Sequence, residues 1–413
     1  MSLEEPERLN EEFVRMFLQN GDENRSIVIT KLYVNLVVPP GNNYGSCLRR
    51  VKVEYKQGNS EDIHNLSVVV KWISPILKDS FAQFSEIEHT FYECFLPETL
   101  KISQKVDFAP KTYMSSDPDV SILEDLKDSG FLMADRLKML DFDHCRLYVN
   151  AAATFHAVSV AVHKKRPELV ESIGVEKVFS NDLKSSIPVK RYYTVGVHFL
   201  ADEMEYIDGY KKYSDVIRDS SNIVWDLTVE AHKRNAILNT LHQGDPWTTN
   251  MMFRYDSSGK VTEVKLLDFQ GLRYSSPVND LVFFLWTSAT HEVRETKLED
   301  LYHMYCNSLN EKLEEFGCSE RLSYEQLLEN LRLLSPMALI LAANGIPLMI
   351  NETPVDVDEV WTEKSEEVTV RNMLCRYYDD EYRKTHLPRI LKQLESVGIF
   401  DYMKSCLPNK IKS

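Results

Sequence analysis

The stretch LHQGDPWTTNMMF, residues 241–253, followed after a turn by VKLLDFQG, residues 264–271, places Asp245, Asn250 and Asp268 at the ends of apolar runs. Buried carboxylates are costly unless an opposite charge or a ligand meets them. The segments MMFRY and VTEVKLLDF, joined by DSSGK, read as a β-hairpin flanked by both carboxylates. Asp and Asn oxygens are hard ligands suited to Mg²⁺, which keeps waters and takes few protein groups. Phosphoryl transfer asks a protein mainly for positioning and charge neutralisation. Asn250 and Asp268 would then hold the cation, leaving Asp245 to orient or deprotonate an acceptor hydroxyl. Taken alone, GDPW and DFQG are also ordinary turn formers, so the reading depends on what the rest of the chain supplies.

Far upstream, Lys71 lies in the apolar strand LSVVVKW (66–72), where an ammonium needs a partner or a ligand. The next segment spaces Phe84, Ile87, Phe91 and Phe95 at three or four residues, a helix with one apolar face that carries Glu88 on or beside it. GNNYGS has too few glycines for a full phosphate cradle, but Asn43 and Ser46 offer backbone N–H groups and a hydroxyl to a nucleotide. Strand-like runs at 27–37 and 48–55, with two more around the turn SSDPD, complete a β-rich segment with one inserted helix, roughly residues 20–125. The remainder reads as mostly helical: 143–164, 197–215, 221–240, 279–315, 324–346 and 366–396. Residues 7–19 read as an amphipathic helix ended by Asn20-Gly21, and 165–235 is the least patterned segment, with the character of a variable insertion. This divides the chain into an N-terminal extension (1–24), a nucleotide-binding lobe (25–125) and a catalytic lobe with the acceptor pocket (126–413). The fold class is α+β: bilobal, with a small β-rich N-lobe holding one key helix and a larger, mainly helical C-lobe.

With 413 residues, 43 % apolar and 27 % charged, the chain is of ordinary soluble composition, and its formal charge of −15 disfavours nucleic acid as a partner. Seven scattered cysteines without a C-x-x-C pair favour reduced thiols, and no apolar signal segment follows the acidic start, so a cytoplasmic location is expected. The apolar run 333–350 is broken by two prolines, an Asn and a Gly, and is expected to be a buried helix plus a turn rather than a membrane span.

Over roughly residues 25–395 the chain resembles the insect ecdysteroid kinase-like proteins, a branch of the aminoglycoside-phosphotransferase and choline-kinase-like group with a protein-kinase-like fold. The resemblance is carried by GNNYGSCLRRVKVEY, FSEIEHTFYECFLP, SILEDLKDSGFLMADR, AAATFHA, GDPWTTNMMFRYD and VKLLDFQGLRYSSPVNDLVFFLWTS. It implies ATP and Mg²⁺ as cofactors, Lys71 paired with Glu88 at the phosphates, and backbone groups of Glu124 to Leu126 meeting adenine. It further implies Asp245 as the catalytic Asp, Asn250 and Asp268 as metal ligands, Asp280 as a brace of the catalytic loop, and His156 as a packing histidine. The implied acceptor is a small lipophilic alcohol, an ecdysteroid or related steroid or xenobiotic, lined by segments such as 209–225 and 324–350. No protein substrate is expected, because His-Arg-Asp, Asp-Phe-Gly and Ala-Pro-Glu are all missing. One departure stands in the catalytic loop, where Gln243 occupies the place of the family's His and Pro246 follows Asp245. A Gln can replace neutral His as a hydrogen-bonding brace but cannot take up a proton near neutral pH, which leaves a binding-only relative as the alternative.

Overall fold

In the first unit, apolar residues at every second position of three long strands point to one face and are covered there by a helix. The computed structural model describes residues 9–22, 24–37, 46–73, 78–115, 117, 119–352 and 366–408. It divides into two units, Met1–Leu132 with Lys265–Gly271, and Met133–Val264 with Leu272–Ser413. β1 (Ile27–Leu36), β2 (Ser46–Gln57), β3 (His64–Ile73), β4 (Thr112–Tyr113) and β5 (Val120–Glu124) form one antiparallel sheet in the order β1-β2-β3-β5-β4. Val51, Val53, Val68 and Val70 on one face pack with Val14, Phe17 and Leu18 of α1 (Glu11–Gln19). The helix expected from residue 7 begins at 11 because the Asn10 side chain accepts the Phe13 N–H at 3.0 Å and caps the first turn. Asn20, with φ of 52°, ends it in the left-handed region.

After β3 come α2 (Lys78–Thr90), a π-helical turn at Phe91–Phe95 and α3 (Leu96–Ile102), with the short β6 (Phe131–Leu132) closing the segment. Phe91, Tyr92 and Phe95 of this turn are all buried.

The second unit begins with α4 (Phe142–Lys165), which packs along α11 (Leu298–Glu315). Between them run α5 (Pro167–Ile173), α6 (Ser186–Met204), α7 (Lys211–Ser220), α8 (Val224–Ala231), β7 (Thr240–His242), β8 (Met251–Tyr255), β9 (Val261–Leu266), β10 (Arg273–Ser275), α9 (Val278–Thr287) and α10 (His291–Thr296). β7 pairs with β10, and β8 with β9. Several of the longer expected helix runs divide, as 279–315 does into α9, α10 and α11, and two breaks have a clear local cause. The run 197–215 breaks into α6 and α7 around Gly209, whose φ is +85°. The run 221–240 stops at 231, since the Asn239 side chain bonds both the N–H and the C=O of Asn235 and Asn235 Oδ1 takes the Ile237 N–H at 2.8 Å; such local bonds compete with the helix ladder. The unpatterned segment 165–235 is thus largely helical.

Downstream are α12 (Tyr324–Leu333), α13 (Ser335–Ile340), a π turn at Leu341–Gly345 and α14 (Ile346–Met349), then helices Glu367–Tyr377, Leu387–Ser396 and Ile399–Cys406. Among the described residues no single helix is long and apolar enough to cross a membrane; α12 and Ser335–Met349 qualify by length and composition only as a pair bent by 54°. Every residue from Ser335 to Gly345 is buried in this fold. All seven cysteines are free thiols.

The π turn sets Asn344 against α6 at Gly196, where a Cβ would lie 1.8 Å from Asn344 Oδ1. Gly196→Ala should therefore destabilise the protein by about 1–3 kcal/mol in a denaturant titration, with part recovered in the Gly196→Ala/Asn344→Ala double variant. Elsewhere, His291 Nδ1 accepts from Arg294 Nη2 (3.1 Å) and Gln393 Nε2 (3.0 Å), so this imidazole is held neutral and presents its Nε2–H to His386 Nδ1 at 2.9 Å. Burial, with Arg294 nearby, pushes the His291 pKa down to about 3, and burial does the same to His232. Unfolded histidines titrate near about 6.5, so between that pH and about 3 the unfolded chain binds more protons. Their contribution to stability is complete above about pH 6.5 and declines as the pH falls through that window. The denaturation midpoint should drop between pH 7 and about pH 5, above the carboxylate range, and an unchanged midpoint would contradict this.

Candidate active site

The site residues of the first unit meet on the sheet face opposite α1. Strand alternation turns Lys71 away from the side of Val68 and Val70. Its Nζ lies 2.7 Å from Glu88 Oε2 and 3.1 Å from Asp268 Oδ1. Burial opposes the ammonium charge, but Asp268 and then Glu88 outweigh it and hold the Lys71 pKa above its ordinary value. Glu88 Oε1 also accepts the Phe269 N–H at 3.2 Å, while the Phe269 ring stacks on Phe91 at 3.9 Å and 12°. The aromatic pair and this bond together fix the Asp268–Phe269 segment beside α2.

Asp268 has φ of +63°, a left-handed conformation that costs a non-glycine residue of order 1 kcal/mol. Its carboxylate is held on both oxygens, by Lys71 and by Gln270 Nε2 at 3.3 Å. Two carboxylates, Glu88 and Asp268, thus face one ammonium. That charge balance and the oxygen chemistry of Asp268 suit a divalent cation. Among the described residues no three His, Cys, Asp or Glu side chains cluster as a closed metal site.

Of the nucleotide-contact expectations, Asn43 lies outside the described residues, and Ser46 is the first residue of β2, opposite Ile73. The Glu124 N–H donates to Lys111 O (2.9 Å), its carboxylate accepts from Ser129 Oγ (2.6 Å), and the Leu126 carbonyl accepts from Phe131 N (2.8 Å). Between them sits Asp125, which sequence reading passed over. It is buried, takes Arg50 Nε at 2.6 Å and Nη2 at 3.1 Å in a two-pronged pair, and accepts Ser67 Oγ at 2.6 Å. Burial alone would raise its pKa, but these bonds hold the carboxyl below its usual value. The segment after β5 is thereby tied to β2 and β3. Lys265 was likewise missed: it is buried, bonds the Asp107 and Ala109 carbonyls at 3.2 Å each, and pairs with the Asp107 carboxylate. Its signal was the same as that of Lys71, a lysine inside an apolar strand.

In the second unit the loop 242–250 is organised by Asp280 at the start of α9. Asp280 Oδ2 accepts from Gln243 N (2.7 Å) and His156 Nε2 (3.2 Å), and Oδ1 accepts from Gly244 N (2.9 Å) and His242 Nδ1 (3.2 Å). Burial opposes the charge, yet His242 and His156 outweigh it and hold the carboxyl far below its usual range. His156 is fully buried, with its second nitrogen 2.7 Å from the Tyr305 hydroxyl, and burial lowers its pKa. Gly244, at φ of +85°, makes the turn that a side chain would strain. Asn250 Nδ2 donates to the Asp245 carbonyl (2.9 Å) and carboxylate (3.2 Å), which directs its amide nitrogen to Asp245. Gln243 is buried, and its backbone, whatever its side chain, is held by Asp280.

A model of the ecdysteroid kinase-like family matches residues 40–318. Solved structures are similar at low identity. A choline/ethanolamine kinase family protein from Mesorhizobium loti is 10 % identical over 88 % of this chain and 92 % of that one, with a TM-score of 0.35. An ethanolamine kinase from Plasmodium vivax is 12 % identical over 83 % and 81 %, with a TM-score of 0.35. The GDP complex of aminoglycoside 2'-phosphotransferase-IIIa is 12 % identical over 96 % and 99 %, with a TM-score of 0.38. No curated protein matches the chain.

Replacing Asp280 by Asn exchanges one acceptor oxygen for an N–H that faces other donors. Asp280→Asn should cost about 3 kcal/mol in equilibrium denaturation at neutral pH, and a loss within measurement error would deny the bracing role.

Proposed function

The chain belongs to the ecdysteroid kinase-like family, a phosphotransferase family with a protein-kinase-like fold, and on that premise we propose that it is an ATP-dependent kinase of a lipophilic alcohol. The acceptor we favour is an ecdysteroid or a related hydroxylated steroid or xenobiotic. The observation that carries the reading is Lys71 held between Glu88 and Asp268, a buried lysine kept charged and aligned as a phosphate-binding cation must be.

In this proposal Lys71 neutralises nucleotide phosphate, and Glu88 keeps it extended. Asn250 and Asp268 would hold Mg²⁺, which when bound supplies charge neutralisation on the phosphates. Asp245 accepts a hydrogen bond from the acceptor hydroxyl and takes its proton as the new O–P bond forms and the bond from the γ-phosphorus to the bridging oxygen breaks. ADP leaves, carrying that electron pair. Asn250, donating to the Asp245 carboxylate, limits the rotation of that base. A second reading, a nucleotide- or steroid-binding relative without transfer, is favoured by Gln243, whose amide cannot take up a proton. The bond from its backbone N–H to Asp280 favours the first reading, since loop geometry is then independent of the side chain at 243.

Asp245→Asn should abolish phosphate transfer while nucleotide with Mg²⁺ still binds, as read by labelled ATP transfer and calorimetry. Gln243→His should change the rate little. A mass-spectrometric screen for added phosphate across a metabolite extract tests the kinase reading itself; a hydroxylated steroid panel tests the acceptor. No phosphorylated product from the extract would sink the first, and product from the extract but none from the panel would sink only the second.

A further inference from the structure

The loop between α5 and α6 supplies Glu176, whose Oε1 accepts the N–H groups of Val178 and Phe179 at 2.7 Å each. Its Oε2 lies 3.4 Å from Nε of Arg273, and the Arg273 guanidinium sits 4.9 Å from the centre of the Phe179 ring. Arg273 opposes His242 in the β7–β10 ribbon, and its Nη1 donates to the Gly244 carbonyl at 3.3 Å. The supporting loop is itself locked to β10. Tyr274 N donates to Gly174 O at 2.8 Å, and a Cβ at Gly174 would fall 2.6 Å from the Tyr274 Cβ. His232 stacks on Phe179 at 3.9 Å, with its Nδ1–H bonded to Thr228 O at 2.8 Å.

We infer that Arg273, anchored by Glu176, is a positioning residue for the catalytic loop: it fixes the peptide that precedes Asp245 and so sets where that carboxylate points. The inference rests on the phosphotransfer reading above. Gly244 has the widest backbone freedom in the loop and directly precedes Asp245. Asp280 holds its N–H and Arg273 holds its C=O, so both polar groups of the residue are clamped from different parts of the chain. Without Arg273 the carbonyl loses its charge-assisted bond, and rotation about Gly244 swings the Asp245 side chain. A displacement of the order of 1 Å at a reacting group costs on the order of 100-fold in rate. An isolated two-stranded ribbon is also too weak to hold a register unaided, which gives the Glu176 loop its role as support. Burial works against the Glu176 charge, but Arg273 and the N–H groups of Phe179 and Val178 outweigh it and keep this carboxyl below its usual value.

A cavity of about 270 Å³ lined by Glu176, His232, Arg234, Arg273 and Tyr274 adjoins the guanidinium and gives access for chemical rescue. The full-length Arg273→Ala and Arg273→Lys variants are compared with wild type in three measurements. In transfer kinetics, Arg273→Ala should lower kcat by about 10- to 100-fold with nucleotide KM within a few-fold, Arg273→Lys should be intermediate, and free guanidinium should restore part of the loss in the Ala variant only. In hydrogen exchange, amides of 242–250 should open faster in Arg273→Ala while the helices of the second unit keep their protection. Thermal midpoints identify any variant that simply misfolds, in which case Glu176→Gln is substituted and should show the same exchange pattern. Unchanged exchange in the loop overturns the inference, as does a fall in kcat that guanidinium leaves untouched. If wild type itself transfers no phosphate, the kinase reading fails, and exchange alone decides whether Arg273 holds the loop.

Discussion

One buried carboxylate ties several elements of the second unit together. Asp280 takes four N–H donors, two from the loop backbone and two from histidines on α4 and β7, with nothing but protein around it. A charge in that position survives only when every lone pair is answered, and satisfying it requires α9, α4 and the loop to arrive in one register. The histidines must also adopt fixed tautomers, since an ionised carboxylate can only accept. His156 then turns its other nitrogen to Tyr305, and His242 to Ser275, so the network extends the constraint into α11 and β10. Asp280 therefore contributes specificity of arrangement as well as stability.

The polar logic of the first unit differs. There a single lysine answers two carboxylates, and the structure tolerates the imbalance because Asp268 and Glu88 also collect N–H donors from Gln270 and Phe269. Aromatic stacking of Phe91 on Phe269 does the work that the histidines do in the other unit, holding the backbone so that the charges meet.

Legibility in the sequence followed the range of the interaction. Strands β2 and β3 and helix α2 were readable because their burial follows a short period, and Lys71 and Glu88 were readable because a charge in an apolar run is conspicuous. The buried run 335–345 was legible from the prolines, Asn and Gly that interrupt it. Segment 165–235 was not: α6 buries residues around most of its circumference, so no clean stripe distinguishes it, and Asn235 and Asn239 stop the preceding helix through bonds that periodicity does not register. Arg50, Asp125, Glu176 and Arg273 escaped for a related reason. Their partners are either backbone groups or side chains tens of residues away, and a surface arginine and a clamping arginine look identical in a one-dimensional pattern.

The first unit is assembled from two pieces of chain, and that has a consequence for synthesis. Lys71 and Asp268 are 197 positions apart, and Phe91 stacks on a ring from the same late segment. While the ribosome is still making residues 133–264, the emerging N-terminal stretch can form its sheet and α1 but leaves Phe91 without its stacking partner and Lys71 with only Glu88. Domains usually close in order of emergence, N-terminal first. Here the earlier-made unit must wait, partly open, for a short strand end that arrives after more than a hundred further residues. Until that segment arrives, Phe91 has Phe95 and Tyr92 beside it but not Phe269.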